Sequence, residues 1–125
     1  MVVIIGILAA VAIPTFIRGT ERARAGQALT YLGEIRSAEA RYSGQQASAG
    51  YTATLKDLDV DIVAPTGWDT ATVNGGGTAT GFVTLTRNNG PNNTKTLGIT
   101  FGAGKICGSL PATVWPGIID PCAAD

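Results

Sequence analysis

The sequence of 125 residues contains no histidine. Histidine is the commonest metal ligand in proteins and the usual general base near neutral pH, so its absence weighs against a metal centre and against acid–base catalysis. The acidic residues are spread among predicted turns, and no serine or cysteine has a histidine that could activate it. We therefore expect neither enzymatic activity nor a bound cofactor.

A surplus of positive charge is also missing. Nine Lys and Arg residues balance nine Asp and Glu residues, which leaves little long-range attraction for nucleic acid, and no nucleic-acid partner is expected. The charge is nevertheless uneven, because residues 1–46 carry five Arg and three Glu, whereas the remainder carries one Arg, three Lys and six Asp. This difference favours packing of the acidic part of one subunit on the basic part of another.

Cysteine is scarce, and its two copies lie close to the C-terminus. Cys107 and Cys122 bracket a loop that contains proline and glycine. This spacing favours one disulfide and a chain that matures outside the cytosol; two buried free thiols are the alternative. Closing a loop of about fifteen residues stabilises the folded chain by roughly 3 kcal/mol.

What the sequence does have is a long apolar run at its start. Residues 1–13 contain no polar side chain, the run resumes at Phe16 and Ile17, and the first charge is Arg18. A helix over 1–17 would be about 25 Å long, just under the hydrocarbon thickness of a bilayer. We expect a retained anchor, because the polar part continues as helix and no basic residue precedes the run, unlike a signal peptide. A buried core helix is the alternative. The predicted membrane or filament-core residues are Val2, Val3, Ile4, Ile5, Ile7, Leu8, Val11, Ile13, Phe16 and Ile17.

The helix is predicted to continue to residue 46 as an amphipathic stalk over 18–46, which makes it about 70 Å long and therefore protruding. Pro14 and the nearby Gly19 predict a kink or a locally melted segment, since proline removes one helical hydrogen bond and glycine weakens the helix. Gly19, Gly26 and Gly33 recur every seven residues, which either permits close approach of another backbone or is incidental. One apolar stripe is expected to pack on the remainder of the chain, and it consists of Ala28, Tyr31, Leu32, Ile35, Ala38 and Tyr42.

The remaining residues predict a small head that follows a connecting loop over 47–67. Residues 55–58 favour a short helical turn, and 65–67 favour a turn before Trp68. Residues 69–74, 81–87 and 94–101 alternate as β-strands and are separated by turn-forming Gly and Asn, which predicts antiparallel neighbours within a head over 68–125. The expected class is therefore α+β. A long protruding helix would pack by its C-terminal half on a sheet of three to four strands, beside a C-terminal disulfide loop.

Residues 1–42, MVVIIGILAAVAIPTFIRGTERARAGQALTYLGEIRSAEARY, resemble the N-terminal helix of type IV pilins and the related pseudopilins, most specifically in the segment IIGILAAVAIP over 4–14. The resemblance covers about the first third of the chain. It implies the pilin fold, an exposed disulfide loop, and a homopolymeric helical filament on the cell surface. It also implies an inner-membrane precursor, cleavage by a prepilin peptidase, and handling by a pilus assembly machinery.

The N-terminus of the sequence differs from the pilin motif in one respect. Family members begin several residues earlier, at a processed and usually methylated Phe followed by a glutamate, whereas no acidic residue precedes Glu21 here. We expect the printed chain to lack that part of the motif. Two other functions stay open: a pseudopilin of a type II secretion system, and a membrane-anchored extracytoplasmic binding module.

Three shorter motifs give weaker functional signals. Asp57, Asp59 and Asp61 alternate, but an EF-hand would place Ile62 where glycine is needed. A solvated strand face is expected, and a calcium site in an irregular loop is the alternative. Residues 75–77 precede a strand and lack a following Lys, which predicts a turn and not a phosphate-binding loop. Residues 92–94 match the short pattern for N-glycosylation.

Overall fold

A computed structural model of the chain describes residues 1–45, 50–61, 63–76, 78 and 80–124. The chain forms one long helix and a small sheet, so the predicted α+β class is confirmed. The helix α1 spans Val2–Gln45, and the predicted last helical residue, Gln46, lies outside the described residues. The elements that follow are a 3₁₀ turn over Leu55–Asp57, β1 over Thr72–Asn74, β2 over Phe82–Thr86, β3 over Thr96–Thr100 and β4 over Ile106–Cys107.

Helix α1 has 44 residues and is therefore about 66 Å long. It runs without interruption through Pro14 and Gly19, so residues 2–45 contain no melted segment in the single subunit. The ring nitrogen of Pro14 has no hydrogen to donate to the Ala10 carbonyl, which leaves this turn with one helical bond fewer than its neighbours. A kink or melt in an assembled filament stays a prediction.

Hydroxyl groups along α1 bond back to the helix itself. Thr15 Oγ1 donates to the Val11 carbonyl at 3.2 Å, and Thr20 Oγ1 donates to the Phe16 carbonyl at 2.9 Å. The same four-residue bond is made by Thr30 and Ser37 farther along. Such bonds occupy the hydroxyl donor and leave the outer surface of the helix with fewer free polar groups.

The four strands form one antiparallel sheet in the order β1-β2-β3-β4. Val83 and Leu85 of β2 and Leu97 of β3 are fully buried, and both strands contact α1. The period-two alternation of these strands therefore places their apolar side chains under the helix. The core of the molecule lies between the second half of α1 and this face of the sheet.

The observed strands are shorter than the predicted ones. Residues 69–71 precede β1 and join the sheet only through the Asp69 N–H, which donates to the Thr86 carbonyl at 2.8 Å. Thr94 has a φ of 70°, a left-handed conformation that excludes it from the start of β3. The predicted turn before Trp68 is confirmed by its N–H, which donates to the Pro65 carbonyl at 3.1 Å.

The second face of β3 is covered as well. Gly98 and Thr100 alternate with the apolar side chains as predicted, yet both are buried. A Cβ atom at Gly98 would lie 2.6 Å from the Val83 carbonyl oxygen and 3.0 Å from Cys122 Sγ. Glycine is therefore required where the disulfide crosses the sheet, because no side chain fits there.

The predicted disulfide between Cys107 and Cys122 is confirmed, with Cα atoms 4.9 Å apart. Cys107 belongs to β4, which pairs with β3 and adds the fourth strand. The enclosed segment is not simply an exposed loop as the family resemblance implied, because Leu110 and Val114 are buried in the core. The disulfide closes a segment that contributes to the head's own packing.

Candidate assembly surface and stalk–head contact

The first half of α1 has no cover from the described part of the chain. Its large apolar side chains are exposed, from 47% at Ile17 to 84% at Val2. The helix is long and apolar enough to cross a membrane, and none of its most apolar stretch is buried. We call residues 2–17 the bare half of α1. The exposed residues are Val2, Val3, Ile4, Ile5, Ile7, Leu8, Val11, Ile13, Phe16 and Ile17.

The second half of α1 lies on the sheet, and we call residues 18–45 the packed half. The residues of the predicted stripe are placed as follows: Ala28, Leu32, Ile35 and Ala38 are at most 1% exposed, Tyr31 is buried, and Tyr42 is half-buried against the same core. The burial starts at Glu21 and Ala25, just after the bare half ends. One continuous helix thus passes from full exposure to full burial within a few residues.

The three glycines spaced by seven residues are not packed against any other described part of the chain. A Cβ atom at Gly19, Gly26 or Gly33 would meet nothing within 4 Å. The structure of the single chain therefore gives no internal reason for glycine at these positions.

A buried ion pair joins the start of the packed half to the head. Glu21 is 7% exposed and Arg87, directly after β2, is 1% exposed. Arg87 Nη2 donates to Glu21 Oε1 at 3.0 Å, and Asn92 Nδ2 donates to Glu21 Oε2 at 2.9 Å. Arg87 Nη1 donates to the Gly67 carbonyl at 2.6 Å. We call Glu21, Arg87, Asn92 and Gly67 the stalk–head lock.

The lock fixes the charge of its carboxylate. Burial raises the pKa of Glu21, but hydrogen bonds from Arg87 and Asn92 and the charges of Arg87 and Arg24 outweigh that effect, so the pKa of Glu21 is lowered overall. Glu21 is therefore ionised at neutral pH and its charge is balanced inside the protein. The guanidinium carbon of Arg87 also lies 5.6 Å from the centre of the Trp68 ring, within the range of a cation–π contact.

Gly67 is needed by the lock. Its φ is +92°, and a Cβ atom there would lie 2.1 Å from Arg87 Nη1. Any side chain would displace the guanidinium that pairs with Glu21. The turn over 65–67 thus has a second role, since it also presents the carbonyl that Arg87 binds.

A second buried carboxylate lies near the far end of α1. Glu39 is 0% exposed, and its Oε2 accepts the Thr52 N–H at 2.9 Å, whereas Oε1 has no hydrogen-bond partner among the described residues. Burial raises the pKa of Glu39, the Thr52 N–H lowers it, and the charge of Asp57 raises it further, with a raised pKa as the net result. The two buried carboxylates of α1 therefore have opposite pKa shifts.

The alternating aspartates are used separately. Asp57 accepts a hydrogen bond from the Thr52 hydroxyl at 3.0 Å, and Asp59 pairs with Arg41 at 2.7 Å. Asp61 is exposed. The described residues contain no cluster of three or more His, Cys, Asp or Glu side chains that could hold a metal ion.

Comparison of the chain with protein-family models, with curated proteins and with solved structures gave no match. The resemblance to type IV pilins therefore depends on the residues of the N-terminal helix alone, and it stays a prediction.

Proposed function

We propose that this protein is a structural subunit of a type IV pilus-like filament with a pilin fold, polymerising through the bare half of α1. The observation that carries the proposal is the contrast within one helix. Residues 2–17 expose large apolar side chains, while residues 21–39 of the same helix are held by a folded head. An apolar surface this large requires another apolar environment.

A membrane and a filament core both supply that environment. Before assembly the bare half would lie in the inner membrane, with the head outside the cytoplasm, where the disulfide can form. In the filament it would lie among the bare halves of other copies. Transfer between the two exposes little apolar surface to water, so the same side chains serve both states. A prepilin peptidase and a pilus assembly machinery are the partners that this route implies.

A matched pair of charge insertions tests the proposal. Val11→Asp places a carboxylate in the bare half, where both lipid and a packed core penalise it. Thr30→Asp places the same charge on the exposed side of the packed half and is the control. Cells producing each variant are sheared, and the released material is sedimented by ultracentrifugation and examined by electron microscopy. We expect fibres from the wild type and from Thr30→Asp, and none from Val11→Asp.

Three results would contradict the proposal. If wild-type chains stay with the membrane and never sediment as polymer, the chain is an anchored monomeric module. If deletion abolishes secretion of exoproteins and no shed fibres form, it is a pseudopilin of a short periplasmic assembly. If Val11→Asp forms fibres as well as the wild type, the bare half is not the polymerising surface.

A cryo-EM map of the filament tests the expected behaviour around Pro14. Packing in a filament is predicted to bend or melt the turn that lacks the Pro14 hydrogen bond. A straight α-helix through Gly19 in the assembled state would contradict that prediction and leave the subunit role intact.

A further inference from the structure

The bare half of α1 ends in a basic surface. Arg18 and Arg22 are exposed and Arg24 is half-buried, and all three lie within two helical turns of Ile17. The acid among them, Glu21, points into the stalk–head lock, where Arg87 balances its charge. The next acid along the helix is Glu34. Residues 18–33 of α1 therefore expose basic side chains and no acidic one, although the chain as a whole has no net charge.

Two of these arginines line an open groove between α1 and the C-terminal segment of the head. The groove has a volume of about 380 Å³ and is lined by Thr15, Arg18, Gly19, Arg22 and Thr113. Arg18 and Arg22 are four residues apart, so they project from the same side of the helix. Gly19 lies between them without a side chain, and a Cβ atom there would meet nothing within 4 Å.

The head orients one of the two guanidinium groups. Arg22 Nε donates to the Val114 carbonyl at 3.2 Å, and Val114 itself is buried. This bond uses the Nε donor and leaves the two terminal nitrogens of Arg22 for another partner. Arg18 makes no hydrogen bond or ion pair with the described residues that would neutralise it. The groove thus offers one oriented and one free guanidinium.

We infer that this groove binds the phosphate of an anionic lipid headgroup while the bare half lies in the membrane. The inference depends on the membrane-anchored stage of the proposed function. A phosphate diester carries one negative charge and oxygens that suit the planar donor pattern of guanidinium groups. The ligand class is an anionic phospholipid, for which phosphatidylglycerol is a suitable probe.

The positions of Arg18 and Arg22 along α1 fit a lipid headgroup. Arg18 directly follows the last apolar residue, and Arg22 lies about 6 Å farther along the axis. A bilayer has a headgroup layer of roughly 5–8 Å on each side of its hydrocarbon core. With residues 2–17 in the hydrocarbon, both guanidinium groups therefore lie at the depth of the lipid phosphates. A second copy of this chain would instead have to bring carboxylates into the groove, and that possibility is an outcome of the test.

The test uses the full chain in non-ionic detergent, with native mass spectrometry to count retained lipids. We expect the wild type to retain phosphatidylglycerol in preference to phosphatidylcholine. Arg18→Gln and Arg22→Gln should each weaken retention about fivefold, since a basic residue at an anionic surface contributes about 1 kcal/mol. Arg18→Gln removes no hydrogen bond or ion pair of the described residues, so we expect this variant to keep the fold. The double variant Lys56→Gln/Lys95→Gln removes two exposed charges from the head and should leave retention unchanged.

Several results would overturn the inference. Equal retention of the two lipids, or undiminished retention by the arginine variants, would show that the groove does not select an anionic headgroup. Inorganic phosphate bound as tightly as phosphatidylglycerol would identify a site for a free anion. Arginine variants that keep the lipid and lose the fibres in sheared material would assign the groove to a second copy. Because the lipid count needs no polymer, its failure leaves the filament proposal standing, and absence of fibres leaves the lipid result standing.

Discussion

The two halves of α1 share one backbone and differ in what covers them. Leu8 in the bare half is 65% exposed, whereas Leu32 in the packed half is 0% exposed. The bare half is apolar on every side, and the packed half is apolar along one stripe. A small head is therefore enough to cover an apolar stripe, whereas a helix that is apolar on every side needs an environment that surrounds it.

The two halves of α1 also differ in the charged residues that they contain. Residues 2–17 contain no charged residue, whereas the packed half buries two carboxylates. Glu21 is balanced by Arg87, and one oxygen of Glu39 has no partner in the part of the chain that the structure describes. The packed half is therefore fixed by specific polar contacts as well as by apolar burial.

The largest expected effect follows from opening the stalk–head lock. Glu21→Ala leaves the buried Arg87 without its counter-charge and should lower the free energy of unfolding by about 3–5 kcal/mol. The measurement is urea denaturation of the full chain in detergent, followed by tryptophan fluorescence, because Trp68 lies beside Arg87. Glu34→Ala, which removes an exposed carboxylate from the same helix, is the control and should change little.

A double variant tests whether the loss of stability comes from the unpaired charge of Arg87. Glu21→Leu combined with Arg87→Met replaces both charges by apolar side chains and should recover most of the lost stability, because no unpaired charge stays buried. Equal loss in Glu21→Ala and Glu34→Ala would contradict a structural role for the lock.

The next largest effect is expected when the same substitution, Leu to Ala, is made in each half of α1 and the stabilities are compared. Leu32→Ala should lower the free energy of unfolding of the head by about 2–5 kcal/mol, because it opens a cavity under a fully buried side chain. Leu8→Ala should leave that value unchanged, since none of the described head residues covers Leu8. The same urea titration checks both. A loss from Leu8→Ala as large as that from Leu32→Ala would mean that the bare half also packs on its own head.

Removal of the disulfide should lower the stability of the head and leave the bare half unaffected. Replacement of Cys107 and Cys122 by serine should lower the free energy of unfolding by about 3 kcal/mol, because it frees a loop with a sequence separation of 15 residues. Membrane association through the bare half should not change. Reduction of the wild type is the matching treatment, and a reduced wild type as stable as the oxidised one would contradict the prediction.

The smallest expected effect concerns Glu39, the buried carboxylate that has no counter-charge among the described residues. The pKa of Glu39 is raised from the ordinary value of 4.5, so the folded chain binds this proton more tightly than the unfolded chain. Stability should therefore fall as pH rises from about 4.5 through the raised pKa. Glu39→Gln keeps an acceptor for the Thr52 N–H and removes the charge, and it should stabilise the chain by about 1 kcal/mol at pH 8, because no ionised group then stays buried without a counter-charge.

Urea titrations at several pH values test this expectation, with the exposed Glu34→Gln as the control. The difference between Glu39→Gln and the wild type should grow with pH across this window. A constant difference would show that Glu39 keeps an ordinary pKa in the folded chain.

Much of the fold could be predicted from local patterns. The apolar run, the stripe and the turn residues specify one long helix and an antiparallel sheet. The disulfide followed from the scarcity of cysteine. The position of the fourth strand, and the disulfide that covers the second face of β3, could not be predicted from the sequence. Ile106 and Cys107 form a strand that is too short to show an alternation of its own.

The stalk–head lock was missed, although a signal was present. Glu21, Ala25, Ala28, Leu32, Ile35 and Glu39 follow each other at steps of three and four, so both carboxylates fall on the apolar stripe. A charged residue on such a stripe requires a buried partner of opposite charge or a shifted pKa. Which partner it finds depends on the distance between Glu21 and Arg87 in the fold, and the sequence places them 66 residues apart.

The Thr15 hydroxyl has a consequence for the transfer from lipid to filament that we propose. It is the one side-chain hydroxyl among residues 2–17, and its hydrogen is already shared with the Val11 carbonyl. A threonine bound in this way presents mainly its methyl group to whatever surrounds it. In the proposed transfer, the bare half could therefore exchange neighbours at this position without breaking a polar contact, and sliding of one helix past another would meet no hydrogen-bonded barrier there.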